Sequence, residues 1–157
     1  MLRGVTTDHG PGPAVTTGQR DPELEERLTA ELVAFNNAAA GTADRGAFSV
    51  RATDAAGGLV GGLTAATWGG LCTVELLWVR ADSRTDGWGG RLLRAAEAEA
   101  RRRGCDRVAV SSFTFQAPGF YQRHGYVETG RIPGIPGGHA DVHLLKSLPP
   151  VAAEDKH

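Results

Sequence analysis

Alternating apolar and polar residues in the middle of the chain predict a meander of three strands. Phe48, Val50 and Ala52 recur at every second position, the turn D-A-A-G-G follows, and a second apolar run covers residues 59–68. Gly69 and Gly70 then precede a third run, residues 71–79. Residues two apart share one face of a strand, and glycines permit tight turns. The three runs are therefore expected to pair in antiparallel order.

A helix is predicted before this meander. Asp21 and Pro22 form a typical N-cap and first-turn pair. The residues that follow place four apolar side chains on one helical face: Leu24, Leu28, Leu32 and Phe35. Gly41 is expected to end the helix, and the segment A-V-T-T at residues 14–17 is expected to form a short first strand.

The segment after the meander predicts a loop, a second helix and a further strand. The inner face of this helix carries Leu92, Leu93, Ala96 and Ala100, and its outer face is expected to carry Arg94, Glu97, Arg101 and Arg102. Residues 108–110 form the next strand, and a right-handed crossover makes it parallel to the third. A short helix over residues 118–124 and two antiparallel strands close an α/β (α+β) fold with a mixed sheet and helices on both faces.

Length and composition limit the possible domain organisation and the possible classes of partner. A chain of 157 residues with 41% hydrophobic and 22% charged residues suits one soluble domain. We expect this domain over residues 13–148, a disordered leader over 1–12 and a flexible tail over 149–157. A net charge of -1 argues against a nucleic-acid surface. No apolar run reaches the length of about 20 residues that a membrane helix needs, so no membrane partner is expected.

The two cysteines, Cys72 and Cys105, indicate neither a disulfide framework nor a zinc site. They are expected to be small buried residues, and a reducing cytoplasm fits this usage.

The loop between the third strand and the second helix has the residues of a diphosphate site. The sequence V-R-A-D-S-R-T-D-G-W-G-G-R-L-L places Arg84, Gly87 and Gly89 directly before the helix. Glycines let backbone N–H groups approach an anion, the helix dipole favours negative charge, and arginine grips phosphate oxygens. Two glycines alone also suit an ordinary tight turn. The apolar strand before them and the helical pattern after them favour the anion site.

This block resembles the acyl-CoA-binding motif R/Q-x-x-G-x-G/A of the GNAT superfamily of N-acetyltransferases. The resemblance implies acetyl-CoA as cosubstrate and a central parallel strand pair that splays apart. It also implies that main-chain groups near Leu77 and Val79 pair with the pantetheine arm. Amides of the loop would wrap the diphosphate: Thr85, Asp86, Gly87, Trp88, Gly89 and Gly90. No dinucleotide fingerprint surrounds Gly87, which disfavours NAD.

A second motif, F-Q-A-P-G-F-Y-Q-R-H-G-Y, begins at Phe115. It is similar to the second motif of the family, in which the first tyrosine, here Tyr121, stands near the thioester sulfur. The implied role is a general acid that protonates the departing coenzyme A thiolate. The other interpretation is an aromatic core cluster of Phe120, Tyr121 and Tyr126.

Glu75 is the candidate general base, because an ammonium group cannot attack a thioester until it loses a proton. It is the one carboxylate in the apolar strand T-V-E-L-L-W-V, where it shares a face with Leu77 and Val79. Partial burial there would raise its pKa toward a useful value. A glutamate that is paired with an arginine or exposed at an edge, without a catalytic part, is the alternative.

Motifs toward both ends of the chain indicate residues of an acceptor pocket. A set of small bacterial GNAT proteins is similar to this chain in several short motifs over residues 14–148, and the candidate acceptor contacts are Phe35, Trp68 and His139. Two positions depart from that set: Ile135 replaces an aromatic residue and Asp141 replaces an arginine. His139, Asp141 and His143 alternate as on a polar strand face, and no metal is predicted.

The leading functional hypothesis is acetyl transfer from acetyl-CoA to a primary amine of a small molecule by direct attack in a ternary complex. The alternative is a non-catalytic acyl-CoA-binding sensor or partner module. Many proteins of this family form homodimers, so a homodimer is an expectation of the resemblance, although no interface can be read from the residues.

Overall fold

The computed structural model describes residues 12–150, which form three helices and six strands. The helices are α1 (Pro22–Ala40), α2 (Trp88–Arg102) and α3 (Pro118–Arg123), and a single 3₁₀ turn covers Ala81–Ser83. The strands are β1 (Arg45–Thr53), β2 (Leu59–Trp68), β3 (Leu71–Val79), β4 (Arg107–Phe113), β5 (Val127–Ile135) and β6 (His139–Ser147). None of the helices described in this range is long and apolar enough to cross a membrane.

The chain divides into two compact units at Ala43 and Asp44. The N-terminal unit contains α1, which begins and ends as its sequence predicts. The Asp21 carboxylate accepts a hydrogen bond from the Leu24 N–H at 3.0 Å, and Pro22 opens the first turn. Gly41 ends the helix with φ +68°. The strand predicted at residues 14–17 is wrong, since these residues have no regular secondary structure and Val15 buries no surface.

The second unit is built on one six-stranded sheet with the order β1-β2-β3-β4-β6-β5. All neighbouring strands are antiparallel except β3 and β4, which are parallel. The crossover through α2 explains this pair, because the chain leaves the end of β3 and must return to the start of β4. The predicted mixed, mostly antiparallel sheet with a central parallel pair is confirmed.

The main core lies between this sheet and the helices α2 and α3. Leu93, Ala96 and Ala100 of α2 pack with sheet residues such as Leu63 and Val108, and Tyr121 of α3 belongs to the same cluster. Cys72 and Cys105 are buried, as predicted, and burial raises the pKa of the Cys72 thiol to about 11. Both thiols therefore remain protonated packing groups.

Glu97 does not lie on the outer face of α2, so that prediction is wrong. Its side chain is only 5% exposed, and Lys146 Nζ of β6 lies 3.0 and 2.9 Å from its two carboxylate oxygens. The Tyr126 hydroxyl donates a third hydrogen bond to it at 3.3 Å. Burial of the charge is tolerated because every contact is with a cation or a donor.

The predicted domain over residues 13–148 stays a prediction. The predicted leader and tail lie largely outside the described residues.

Candidate functional site

The parallel strands β3 and β4 pair over a short stretch and then separate. Their register includes only three positions, from Leu71 opposite Arg107 to Thr73 opposite Ala109. Beyond Thr73, the backbone edge of β3 that faces β4 has no strand partner among the described residues. The expected splayed pair is therefore present, and its gap gives a ligand access to unpaired main-chain groups of β3.

A bulge in β3 lies at the start of this gap. Thr64 of β2 pairs with Leu76, but the next residue, Ala65, pairs with Val74. Glu75 is therefore the extra residue without a cross-strand partner, and it is exposed. A bulge of this kind bends a strand and redirects a side chain. The partly buried setting that the strand pattern predicts for Glu75 is wrong.

The gap opens into a cavity of about 890 Å³. Its walls come from β3, the loop before α2, the first turns of α2, β4 and α3, all within the second unit. Of the predicted site residues, the lining contains Glu75, Leu77, Val79, Arg84, Thr85, Gly87, Gly89, Gly90 and Tyr121. One cavity thus brings together the two motifs, which are separated by about twenty residues of sequence.

The loop before α2 presents free amide groups at the cavity. Gly87 has φ +78°, a conformation that glycine adopts without a Cβ penalty, and the first hydrogen bond of α2 runs from the Arg91 N–H to the Gly87 carbonyl. The N–H groups of Trp88, Gly89 and Gly90 precede that bond and have no intrahelical acceptor. Such a first turn attracts anions.

Arg80 holds the acidic part of this loop away from the cavity. Its guanidinium donates to Asp82 at 2.6 Å and to Asp54 at 3.3 Å. Hydrogen bonding to Arg80 lowers the pKa of Asp82, so this carboxylate is ionised and already paired. Arg84, in contrast, donates its Nε–H to the Val79 carbonyl at 3.1 Å and lines the cavity.

Tyr121 is both a core residue and a cavity residue. Its ring makes edge contacts with Phe120 and Tyr126 at centroid distances of 5.1 and 5.7 Å. Its hydroxyl donates to no acceptor in the described part of the chain, and burial raises the pKa of the phenol. The Tyr121 hydroxyl is therefore a protonated donor at a fixed position. The aromatic cluster of Phe120, Tyr121 and Tyr126, which was the alternative interpretation, holds its ring in place.

Two loop residues predicted to bind the cofactor, Asp86 and Trp88, do not line the cavity. The Asp86 N–H already donates a hydrogen bond to the Ser83 carbonyl at 3.2 Å. The Trp88 side chain packs against the smaller core cluster of Ala52, Val60 and Leu92. The Asp86 amide is thus occupied, whereas Trp88 still has its free amide in the first turn of α2.

Of the three predicted acceptor contacts, Trp68 and His139 do not line this cavity, and Phe35 belongs to α1 in the other unit. Trp68 ends β2 beneath the guanidinium of Arg45, and its buried indole N–H has no hydrogen-bond partner in residues 12–150. His139 Nδ1 lies 2.9 Å from the Thr114 hydroxyl, and its ring packs on Phe115, which does line the cavity.

A smaller cavity of about 320 Å³ adjoins the larger one where β3 and β4 separate. It shares Val74, Val110 and Ser111 with the larger one, and its other lining includes Thr129 and His143. The shared residues flank the point where β3 and β4 separate. The two cavities therefore meet at the bulge that carries Glu75.

Asp141 pairs with His143 at 3.3 Å on β6. No set of three or more His, Cys, Asp or Glu side chains within residues 12–150 is arranged to hold a metal ion.

Comparison with known proteins identifies the family. The model of the acetyltransferase (GNAT) domain matches residues 44–128, which is more than half of the chain. The chain belongs to the GNAT acetyltransferases. This assignment agrees with the splayed strands and with the loop before α2, and it makes the protein an acetyltransferase rather than an unrelated phosphate-binding protein.

Several relatives support the assignment over nearly the whole chain. The GNAT protein is 40% identical over 149 residues to the blasticidin-S acetyltransferase of Streptomyces morookaense, with coverage of 94% of this chain and 98% of the relative. An acetyltransferase structure from Bacillus cereus superposes with a TM-score of 0.78 at 28% identity, covering 87% and 98% of the two chains. An aminoglycoside 6′-N-acetyltransferase complexed with coenzyme A shares the fold, with a TM-score of 0.60, 20% identity and coverage of 87% and 97%.

Proposed function

We propose that this GNAT acetyltransferase transfers the acetyl group of acetyl-CoA to a primary amine of a small molecule, by direct attack in a ternary complex. The observation that carries the proposal is the single cavity that joins a cationic loop, a free strand edge and the Tyr121 hydroxyl. These three features match the diphosphate, the amide-containing arm and the thioester of acetyl-CoA, in that order.

The loop before α2 binds the diphosphate in this proposal. The free amides of Trp88, Gly89 and Gly90 and the guanidinium of Arg84 supply donors of the kind that phosphate oxygens accept. The main-chain groups of Leu77 and the Val79 N–H, at the free edge of β3, hydrogen-bond the pantetheine arm, because an extended chain of amides can extend a sheet edge. The thioester then lies at the gap between β3 and β4.

The chemical step needs orientation, a polarised carbonyl and two proton transfers. The amine nitrogen attacks the thioester carbonyl carbon, and a backbone N–H near Val79 stabilises the oxyanion. The carbon–sulfur bond then breaks, and Tyr121 gives its proton to the thiolate. The attacking nitrogen gives up one proton to Glu75, directly or through water. Exchange with solvent then returns a proton to Tyr121, and no covalent acyl-enzyme forms.

The acceptor approaches from the smaller cavity. This cavity meets the larger one at Val74, Val110 and Ser111, so an amine there faces the thioester carbon while coenzyme A fills the other side. The 40% identical relative is named for blasticidin-S, which makes that compound the first acceptor to test. The acceptor class is a small molecule with an exposed primary amine.

The test combines binding and turnover with the purified chain. We expect calorimetry to detect acetyl-CoA binding, and we expect free coenzyme A together with an acetylated product, identified by mass spectrometry, in a panel that begins with blasticidin-S and continues with aminoglycosides, polyamines and amino acids. Binding without turnover across the panel would favour the acyl-CoA sensor. Neither binding nor turnover would contradict the proposal altogether.

Glu75→Gln is expected to lower kcat/KM for the amine by about 10- to 100-fold while the Kd for acetyl-CoA changes little. Glutamine keeps the size of the side chain but cannot accept the amine proton. The control variant is Asp86→Asn, which removes a nearby carboxylate that does not line the cavity. The kinetics of this variant are expected to resemble those of the wild type. Equal losses in the two variants would show that Glu75 contributes only its charge.

A further inference from the structure

The large cavity has more cationic and hydrogen-bond-donating side chains than a diphosphate requires. Besides Arg84, its lining includes Arg94 of α2 and Arg123 and His124 at the end of α3. Its lining contains one carboxylate, Glu75. The whole chain has a net charge of -1, so this concentration of donors is local and does not reflect a general excess of positive charge.

Nearly half of the fifteen arginines of the chain have an acidic partner, but among residues 12–150 these three side chains have none. Seven arginines elsewhere form ion pairs with aspartate or glutamate: Arg20, Arg27, Arg80, Arg102, Arg103, Arg107 and Arg131. Within residues 12–150, Arg94, Arg123 and His124 have no ion pair. Two unpaired arginines and an imidazole that line one cavity favour an anionic ligand.

The glycine at position 90 brings two of these groups to one place. A Cβ on Gly90 would lie 2.9 Å from Cε1 of His124 and 3.1 Å from Nη1 of Arg94. The absence of a side chain at Gly90 therefore makes room for both, beside the free amides that open α2. Phe120 holds the imidazole by ring packing at a centroid distance of 4.7 Å.

We propose that Arg94, Arg123 and His124 form a second phosphate subsite, which takes the 3′-phosphate of coenzyme A. The inference rests on the proposed function, in which Arg84 and the loop amides take the diphosphate. Coenzyme A has one further anionic group, a phosphate monoester with about two negative charges at neutral pH. Two arginines and an imidazole N–H donor match its charge and its three acceptor oxygens.

The test compares coenzyme A with 3′-dephospho-coenzyme A by titration calorimetry on the full chain. Wild type is expected to bind coenzyme A at least about 10-fold more tightly, since two or three charged hydrogen bonds are lost with the phosphate. In the double variant Arg94→Gln/Arg123→Gln this preference is expected to fall to about 2-fold, while the Kd for the dephospho ligand stays near the wild-type value.

Two control variants separate the subsite from general electrostatics. Arg101→Gln removes one positive charge from the helix that carries Arg94, at a position that does not line the cavity, and is expected to keep the full preference. Arg84→Gln is expected to weaken both ligands equally, because it acts on the shared diphosphate. Equal wild-type affinity for the two ligands, or an equal loss for both in the double variant, would overturn the subsite and leave the proposed function standing. If neither ligand binds wild type, the proposed function itself fails.

Discussion

Tyr121→Phe is expected to lower kcat by about 100-fold or more, with little change in the KM for acetyl-CoA. Phenylalanine keeps the ring contacts with Phe120 and Tyr126 but removes the only proton that this side chain can give to the leaving thiolate. The proton matters in the transition state and not in the bound ground state, so the loss falls on kcat. Steady-state kinetics with a fixed amine measures both constants.

The pH profile provides an independent readout for Tyr121. Burial raises the pKa of the phenol above its ordinary value of 10.0, so the acid keeps its proton at every pH below that value. Deprotonation of Tyr121 is therefore expected to cause no decline of the wild-type kcat below pH 10. An alkaline decline centred near pH 8 that disappears in Tyr121→Phe would contradict this, because it would assign the group an ordinary or lowered pKa.

Tyr126→Phe is the matched control, since the chain has only two tyrosines and they are in contact. The Tyr126 hydroxyl donates to Glu97 and does not line the cavity. Its removal is expected to lower stability while most of the kcat remains. A wild-type kcat in Tyr121→Phe, or equal losses in both variants, would show that Tyr121 only packs.

Local patterns in the sequence predict most of the fold and the loop before α2. Alternation over residues 48–79 depends on neighbours in sequence, and so do the glycines that precede α2. The bulge at Glu75 escapes this reasoning, because a period of two assumes one partner for each residue. Only the pairing of Thr64 with Leu76 and of Ala65 with Val74 reveals the extra residue.

The second phosphate subsite depends on distances that no single segment determines. Arg94 belongs to α2 and His124 follows α3, and no spacing rule predicts that both approach Gly90. Glu97 is different, because a signal was present. It stands four residues after Leu93 and three before Ala100, which are both buried, so helical geometry alone puts it on the inner face.

Glu97→Gln is expected to destabilise the protein by about 3 kcal/mol, the second large effect. Lys146 has a side chain that is only 24% exposed, and it would keep its charge without the carboxylate that neutralises it. Removing one partner of a buried pair usually costs more than removing both, because a lone charge remains unsolvated. Urea unfolding, followed by circular dichroism, measures the change in the free energy of unfolding.

Two further variants distinguish the loss of a buried ion pair from a general effect of lost charge. Glu97→Leu/Lys146→Met replaces both charges by apolar groups and is expected to be more stable than the sum of the two single changes implies. Glu99→Gln, two residues away on α2, breaks ion pairs with the exposed Arg102 and Arg103 and is expected to cost much less. If Glu97→Gln costs no more than Glu99→Gln, the charge of Glu97 contributes no more than a surface charge. The buried ion pair would then not be what joins α2 to β6.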